Sequence, residues 1–144
     1  TGKETLPESG HMKGKNYVIA GNMLTSLDNL EKMAKAFEES SSLRLTERLI
    51  IALETGKNAG GQQDNGHPLK ERAAAVCVIG ENGIKEIDLR IDMSEDAIEE
   101  LRHLWENYKI YNEFMRECEH SPEFLSTLEE QEKRLPKAPS IFKS

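Results

Sequence analysis

The chain has 144 residues, enough for one domain with a genuine core. Its 19 basic and 26 acidic side chains give a net charge of −7, and the basic residues form no long run and do not interleave with aromatics. Nucleic acid is therefore not an expected partner, because phosphate contacts need grouped Lys and Arg.

No apolar stretch reaches the roughly 18–20 residues that cross a bilayer, so no membrane partner is expected, and a cytoplasmic location is the default. Cys77 and Cys118 match no metal-ligand spacing, and neither a metal nor another cofactor is expected. With one Trp, three Tyr and four Phe, aliphatic side chains must carry most of the packing.

In chain order, residues 1–15 are polar and glycine-containing and read as a short strand and a loop. Residues 16–21, Asn-Tyr-Val-Ile-Ala-Gly, read as a buried strand ending at Gly21. Ser26 is placed to cap a helix in which Leu27, Leu30, Met33, Ala34 and Phe37 recur at helical spacing, and Ser40-Ser41-Ser42 breaks it. Thr46 begins a second helix with Glu47 in its first turn and an apolar face of Leu49, Ile50 and Leu53, and Gly56 is the expected stop. Residues 57–72, with Gly60, Gly61, Gly66 and Pro68, read as a loop long enough to carry function.

Ala73 to Ile79 is a near-continuous apolar run, the pattern of a strand covered on both faces, with Cys77 as a small buried hydrophobe. Glu81-Asn82-Gly83 signals a hairpin into a strand from Glu86 to Ile91, with Ile87, Leu89 and Ile91 inward. Asp88 and Arg90 share its other face and read as a surface or subunit ion pair. Ser94 is the cap of a long helix starting near Glu95, with a stripe of Ile98, Leu101, Leu104 or Trp105, Tyr108, Tyr111 or Asn112, and Met115. Ser121-Pro122-Glu123 opens another helix, which Pro136 and Pro139 end. The order strand, strand, helix, helix, strand, strand, helix, helix predicts layered α and β structure.

Gly10-His11, Asn16-Tyr17-Val18 and Gly21-Asn22-Met23-Leu24, followed by Ala52-Leu53-Glu54-Thr55-Gly56 and Ala59-Gly60-Gly61, form a recognisable series. With Ile87-Asp88-Leu89-Arg90-Ile91-Asp92 and Ile98-Glu99-Glu100-Leu101-Arg102, it resembles the family called domain of unknown function 1028 over roughly Thr1 to Tyr108. The resemblance implies an α+β fold, an N-terminal-nucleophile (Ntn) hydrolase-like αββα sandwich. This chain would be its later part (1–108), with 109–144 as a helical extension and tail. It also implies a companion N-terminal chain of the same precursor, and a homo-oligomer is expected.

The Thr1-Gly2 start matches a Thr-Gly inside family members. Thr1 would join a hydroxyl nucleophile to an α-amine whose ordinary pKa of about 7.7–8.0 suits a general base. Alternatively, the nucleophile lies at the head of the companion portion and this chain is scaffold. Asn22, between a strand and a helix, is a candidate oxyanion donor, or else a helix cap or Asx turn. Gly21, Gly60, Gly61 and His11 are candidates for lining the substrate site.

The expected activity is hydrolysis of an amide, and the rival reading is a non-catalytic assembly or binding module. The sequence departs from the family pattern where Gln62 replaces an acid, where Asp64 to Leu69 expands the loop, and where Ala73 replaces a Ser. Chemistry depending on those groups is in question here.

Overall fold

A computed structural model describes residues 8–119 and residue 133, with side chains placed through residue 115 and at residue 133. The chain divides into two compact units, Thr1–Arg102 and His103–Ser144. The fold is mixed α and β, with small antiparallel sheets and three helices among the described residues.

The first unit opens with a hairpin of β1 (Gly10–Lys13) and β2 (Val18–Gly21), with Gly10 opposite Gly21. The strand expected to be buried is only partly so, since Val18 stays 64% exposed. A two-stranded ribbon offers one face to the core, and here the opposite face meets solvent. Helix α1 (Asp28–Glu39) follows. Ser26 stands one residue before the cap position, which Leu27 occupies without a side-chain cap bond; the Ser26 hydroxyl accepts from the Asp28 N–H at 3.2 Å instead. Leu30, Ala34 and Phe37 form the buried stripe, while Leu27 is about half exposed. The Phe37 ring packs edge-on against Tyr17 at 5.1 Å and carries the Arg48 guanidinium 3.9 Å above its face.

Helix α2 (Leu45–Asn58) runs past Gly56, which is buried inside it rather than ending it. A Cβ at Gly56 would stand 2.7 Å from Met33 Sδ, so this glycine lets α1 and α2 approach closely. Ile50 is fully buried on the inner face.

The expected loop 57–72 instead contains a second hairpin, β3 (Gln62–Asp64) with β4 (His67–Leu69). Its turn is Asn65-Gly66, both with positive φ (49° and 82°), the geometry that two-residue hairpins favour. The expanded segment noted in the sequence is therefore this ribbon.

Strand β5 (Ala74–Ile79) pairs with β6 (Lys85–Ile91) through the Glu81-Asn82-Gly83 turn. Val76, Val78, Ile87 and Leu89 are buried, but Ala75, Cys77 and Ile79 are exposed. The expectations of a doubly covered strand and a buried Cys77 are corrected: among the described residues the sheet has two strands and one covered face. Asp88 and Arg90 do not pair with each other either. Asp88 engages Lys85 within β6 and Arg90 engages Asp92 just beyond it, so each finds a nearer partner along the chain.

Helix α3 (Ala97–Glu119) starts two residues later than expected and is capped by Asp96 in place of Ser94: Asp96 Oδ1 accepts from the Glu99 N–H at 3.1 Å, while the Ser94 hydroxyl accepts from the Asp96 N–H at 2.9 Å and donates to Glu100 at 2.7 Å. Within the first unit, Ala97, Ile98 and Leu101 are buried. Arg102 binds Glu54 of α2 through two parallel bonds of 2.7 and 2.8 Å and also engages Glu47. These carboxylates raise the guanidinium's already high pKa, with the Glu54 hydrogen bonds contributing most.

In the second unit Trp105 is 2% exposed and stacks with Tyr108 at 6.3 Å. Lys109 reaches the Trp105 face and pairs with Glu106 at 2.6 Å. Phe114 is buried and Met115 is at the surface, so the stripe ends one residue earlier than its spacing suggested. The helix expected from Ser121 lies outside the described residues.

Candidate functional site

Three segments converge on one open groove in the first unit. Met23 adopts a left-handed conformation (φ 57°), an unfavourable state for a bulky residue that costs about 1–3 kcal/mol. This kink turns the chain leaving β2 so that residues 23–25 run beside β3. The Gln63 N–H donates to the Met23 carbonyl at 2.7 Å, and the Thr25 N–H donates to the Gly61 carbonyl at 3.1 Å.

The α2 exit is closed by Gly60 (φ 119°) and Gly61 (φ 59°). At Gly60 a Cβ would lie 2.5 Å from Thr25 Oγ1, so the position tolerates no side chain in either conformation or space. The Gly61 N–H returns to the Gly56 carbonyl at 3.0 Å.

Asn29 secures this junction from beneath. It is 1% exposed, and its Nδ2 donates to the Gly61 carbonyl at 3.0 Å and to Thr25 Oγ1 at 3.1 Å. Its Oδ1 is buried without a hydrogen-bond partner among the described residues, an arrangement that ordinarily costs about 1–3 kcal/mol.

The groove has a volume of 350 Å³, within the range of small ligand sites. Ala20, Gly21, Asn22, Gly61, Gln62 and Ala73–Ala75 line it, and Leu30, Met33, Leu53 and Ile98 supply apolar surface. Lys57 and Glu71 are its ionisable side chains. Lys57 is tied to Asp96, which pushes the ammonium pKa up. The same contact holds the Asp96 carboxyl below its usual range, helped by the Glu99 backbone N–H. The Glu71 carboxylate comes near Gly61, where a Cβ would meet its oxygen at 2.5 Å.

Of the residues singled out from sequence, Gly21, Asn22 and Gly61 are brought together on this groove. The Asn22 carbonyl accepts from Gln62 Nε2 at 3.3 Å, and its side-chain amide is without a hydrogen-bond partner among the described residues. Gly60 stands one residue behind the wall. His11 is exposed on β1 and does not line the groove. Thr1 lies outside the described residues. Sequence reasoning passed over Asn29, Glu71, Ala74 and Ala75, and noted Ala73 only as a departure from the family pattern; the i, i+4 pair Thr25/Asn29 was the available signal for the first. Among the described residues no three His, Cys, Asp or Glu side chains converge as a metal site, and no helix is long and apolar enough to cross a membrane.

A family model described as "Family of unknown function (DUF1028)" matches residues 1–101, and the chain belongs to that family. No curated protein and no solved structure matches it.

Proposed function

We propose that the groove is the amide-holding part of an Ntn-type hydrolase, and that the chain is the later portion of such a domain, working with a companion N-terminal polypeptide. The observation that carries this reading is the meeting of the adjacent pair Gly21-Asn22 with Gly61, from a second segment, on one groove braced by a buried asparagine. In the proposed chemistry the Thr1 Oγ attacks the substrate carbonyl carbon while the free Thr1 amine takes the hydroxyl proton. The Asn22 side-chain amide donates to the developing oxyanion. The C–N bond then breaks, the proton passes to the leaving amine, and water hydrolyses the Thr1 ester to release the acid.

The test is intact-mass analysis of the full-length precursor beside a Thr1→Ala variant, with an electrophile directed at N-terminal threonine. The expected result is cleavage before Thr1 and labelling of Thr1 in the wild type, with both lost in the variant. Cleavage that persists in Thr1→Ala, or a wild-type Thr1 that stays unlabelled, rejects the nucleophile assignment. A second reading, a binding module without turnover, is favoured by the groove itself, which holds a volume of 350 Å³ and is lined by Leu30, Met33, Leu53 and Ile98. It predicts an unlabelled Thr1 together with a ligand held in the groove.

A further inference from the structure

We infer that the groove takes an amide that carries a protonated primary amine beside an apolar side chain. This rests on the reading of the groove as an amide site and names its substrate class. Lys57 and Glu71 both line the groove, but the Lys57 ammonium is bonded to Asp96. Glu71 acts on that ammonium only through the weaker attraction across space. Lys70 and Arg72, which flank Glu71 in the chain, are drawn off by Glu95. The Glu71 carboxylate is therefore left uncompensated at the groove among the described residues. Its place is fixed by its surroundings. The Glu71 carbonyl accepts the Ala97 N–H at 2.9 Å, which pins this backbone to the start of α3. Its Oε1 stands 2.5 Å from where a Cβ at Gly61 would be, so the glycine makes room for the acid.

A second, independent acceptor lies at the same glycine. Asn29 lines the groove, is 1% exposed, and spends its Nδ2 on the Gly61 carbonyl and Thr25 Oγ1. Its Oδ1 is buried without a partner among the described residues. Such an atom calls for a donor, because buried polar groups are nearly always hydrogen-bonded. Glu71 and Asn29 thus bring a negative charge and a neutral acceptor to the neighbourhood of one residue, Gly61. A primary ammonium answers both, since it carries a positive charge and three N–H donors. A carboxylate answers neither. Leu30, Met33, Leu53 and Ile98 supply contact for an aliphatic side chain next to it.

The probes are leucinamide, N-acetyl-leucinamide and N-acetyl-leucine, which offer a cation, a neutral amide and an anion on one aliphatic frame. They are titrated calorimetrically into the full-length protein, companion portion included, at about pH 6, where an α-amine is protonated. The expected result is that leucinamide binds about tenfold or more tighter than N-acetyl-leucinamide, with N-acetyl-leucine weakest. Glu71→Gln keeps the side chain's shape and removes its charge. It should bring leucinamide down to the neutral amide, leaving that amide's own affinity and the melting temperature unchanged. Equal affinity for the two amides, tighter binding of the anion, no saturable binding, or a preference that survives Glu71→Gln overturns the inference. A cation of the companion portion seated on Glu71 would leave leucinamide without advantage and overturn it in the same way. Hydrolysis of neutral amides without any ammonium preference would overturn it and leave the hydrolase reading standing. Ammonium-selective binding by a protein whose Thr1 stays unlabelled would uphold it and remove the hydrolase.

Discussion

Asn29 holds the Gly61 carbonyl at 3.0 Å, so a side chain in the first turn of α1 fixes the backbone leaving α2. The Gly61 carbonyl also receives the Thr25 N–H at 3.1 Å, which makes it the shared anchor of the groove wall. Asn29→Asp would replace a donor with a buried carboxylate facing that carbonyl. Asn29→Leu removes the hydrogen bonds but also the unpartnered Oδ1. The expected order in thermal unfolding is wild type, then Leu lower by about 1–3 kcal/mol, then Asp lowest. An Asp variant as stable as the Leu variant contradicts this account.

Gly60 and Gly66 both have positive φ, yet they differ in surroundings. A Cβ at Gly60 meets Thr25 Oγ1 at 2.5 Å, whereas at Gly66 it meets nothing within 4 Å. Gly66→Ala should cost only the left-handed backbone penalty, about 1–2 kcal/mol. Gly60→Ala should cost more and should perturb the Thr25 and Asn29 amide resonances, which a heteronuclear NMR spectrum reads directly.

Arg102 joins Glu47 and Glu54, two carboxylates two helical turns apart on α2. Removing it leaves both acids facing each other in a partly buried site. Arg102→Met is expected to destabilise by up to about 3–5 kcal/mol, the upper limit for breaking a buried pair, with solvent access reducing it. Adding Glu54→Gln and Glu47→Gln should recover part of that loss. A triple variant less stable than the single one, by denaturant titration, would exclude like-charge repulsion as the cause.

The Asp96 carboxyl is held below its usual range by Lys57 and the Glu99 N–H, so its folded pKa lies below its unfolded value. The stabilisation is fully present above the unfolded pKa of about 3.9 and is lost as pH falls through the folded one. Asp96→Asn should therefore lower the melting temperature at neutral pH and narrow the gap to wild type in acid. A pH-independent gap between the two melting curves would count against the Lys57 contact as its source.

Local signals were legible where one helix or hairpin satisfies itself. The α1 stripe and the Asn82-Gly83 turn stand where expected, whereas Ser26 and Ser94 mark the helix approaches but sit one or two residues before the caps, Leu27 and Asp96. The second hairpin was also written in the chain, in Asp64-Asn65-Gly66-His67, but its strands are too short and polar to show alternation. Cys77 was misjudged because an apolar run does not reveal how many faces are covered. Asn29 was hidden for the opposite reason: a polar residue reads as surface until the carbonyl it serves, 32 positions away, is known. The groove drew on Gly21, Asn22 and Gly61, whose residue types flagged them.

Strands β1–β2, helices α1–α2, and the ribbons β3–β4 and β5–β6 each join elements adjacent along the chain. Every such union closes only a short loop, so little chain entropy is surrendered before contacts form. The larger entropy cost then falls on distant closures such as Asn29 to Gly61, Lys57 to Asp96 and Glu54 to Arg102. Substitutions there should slow refolding, whereas changes within a ribbon should chiefly speed unfolding.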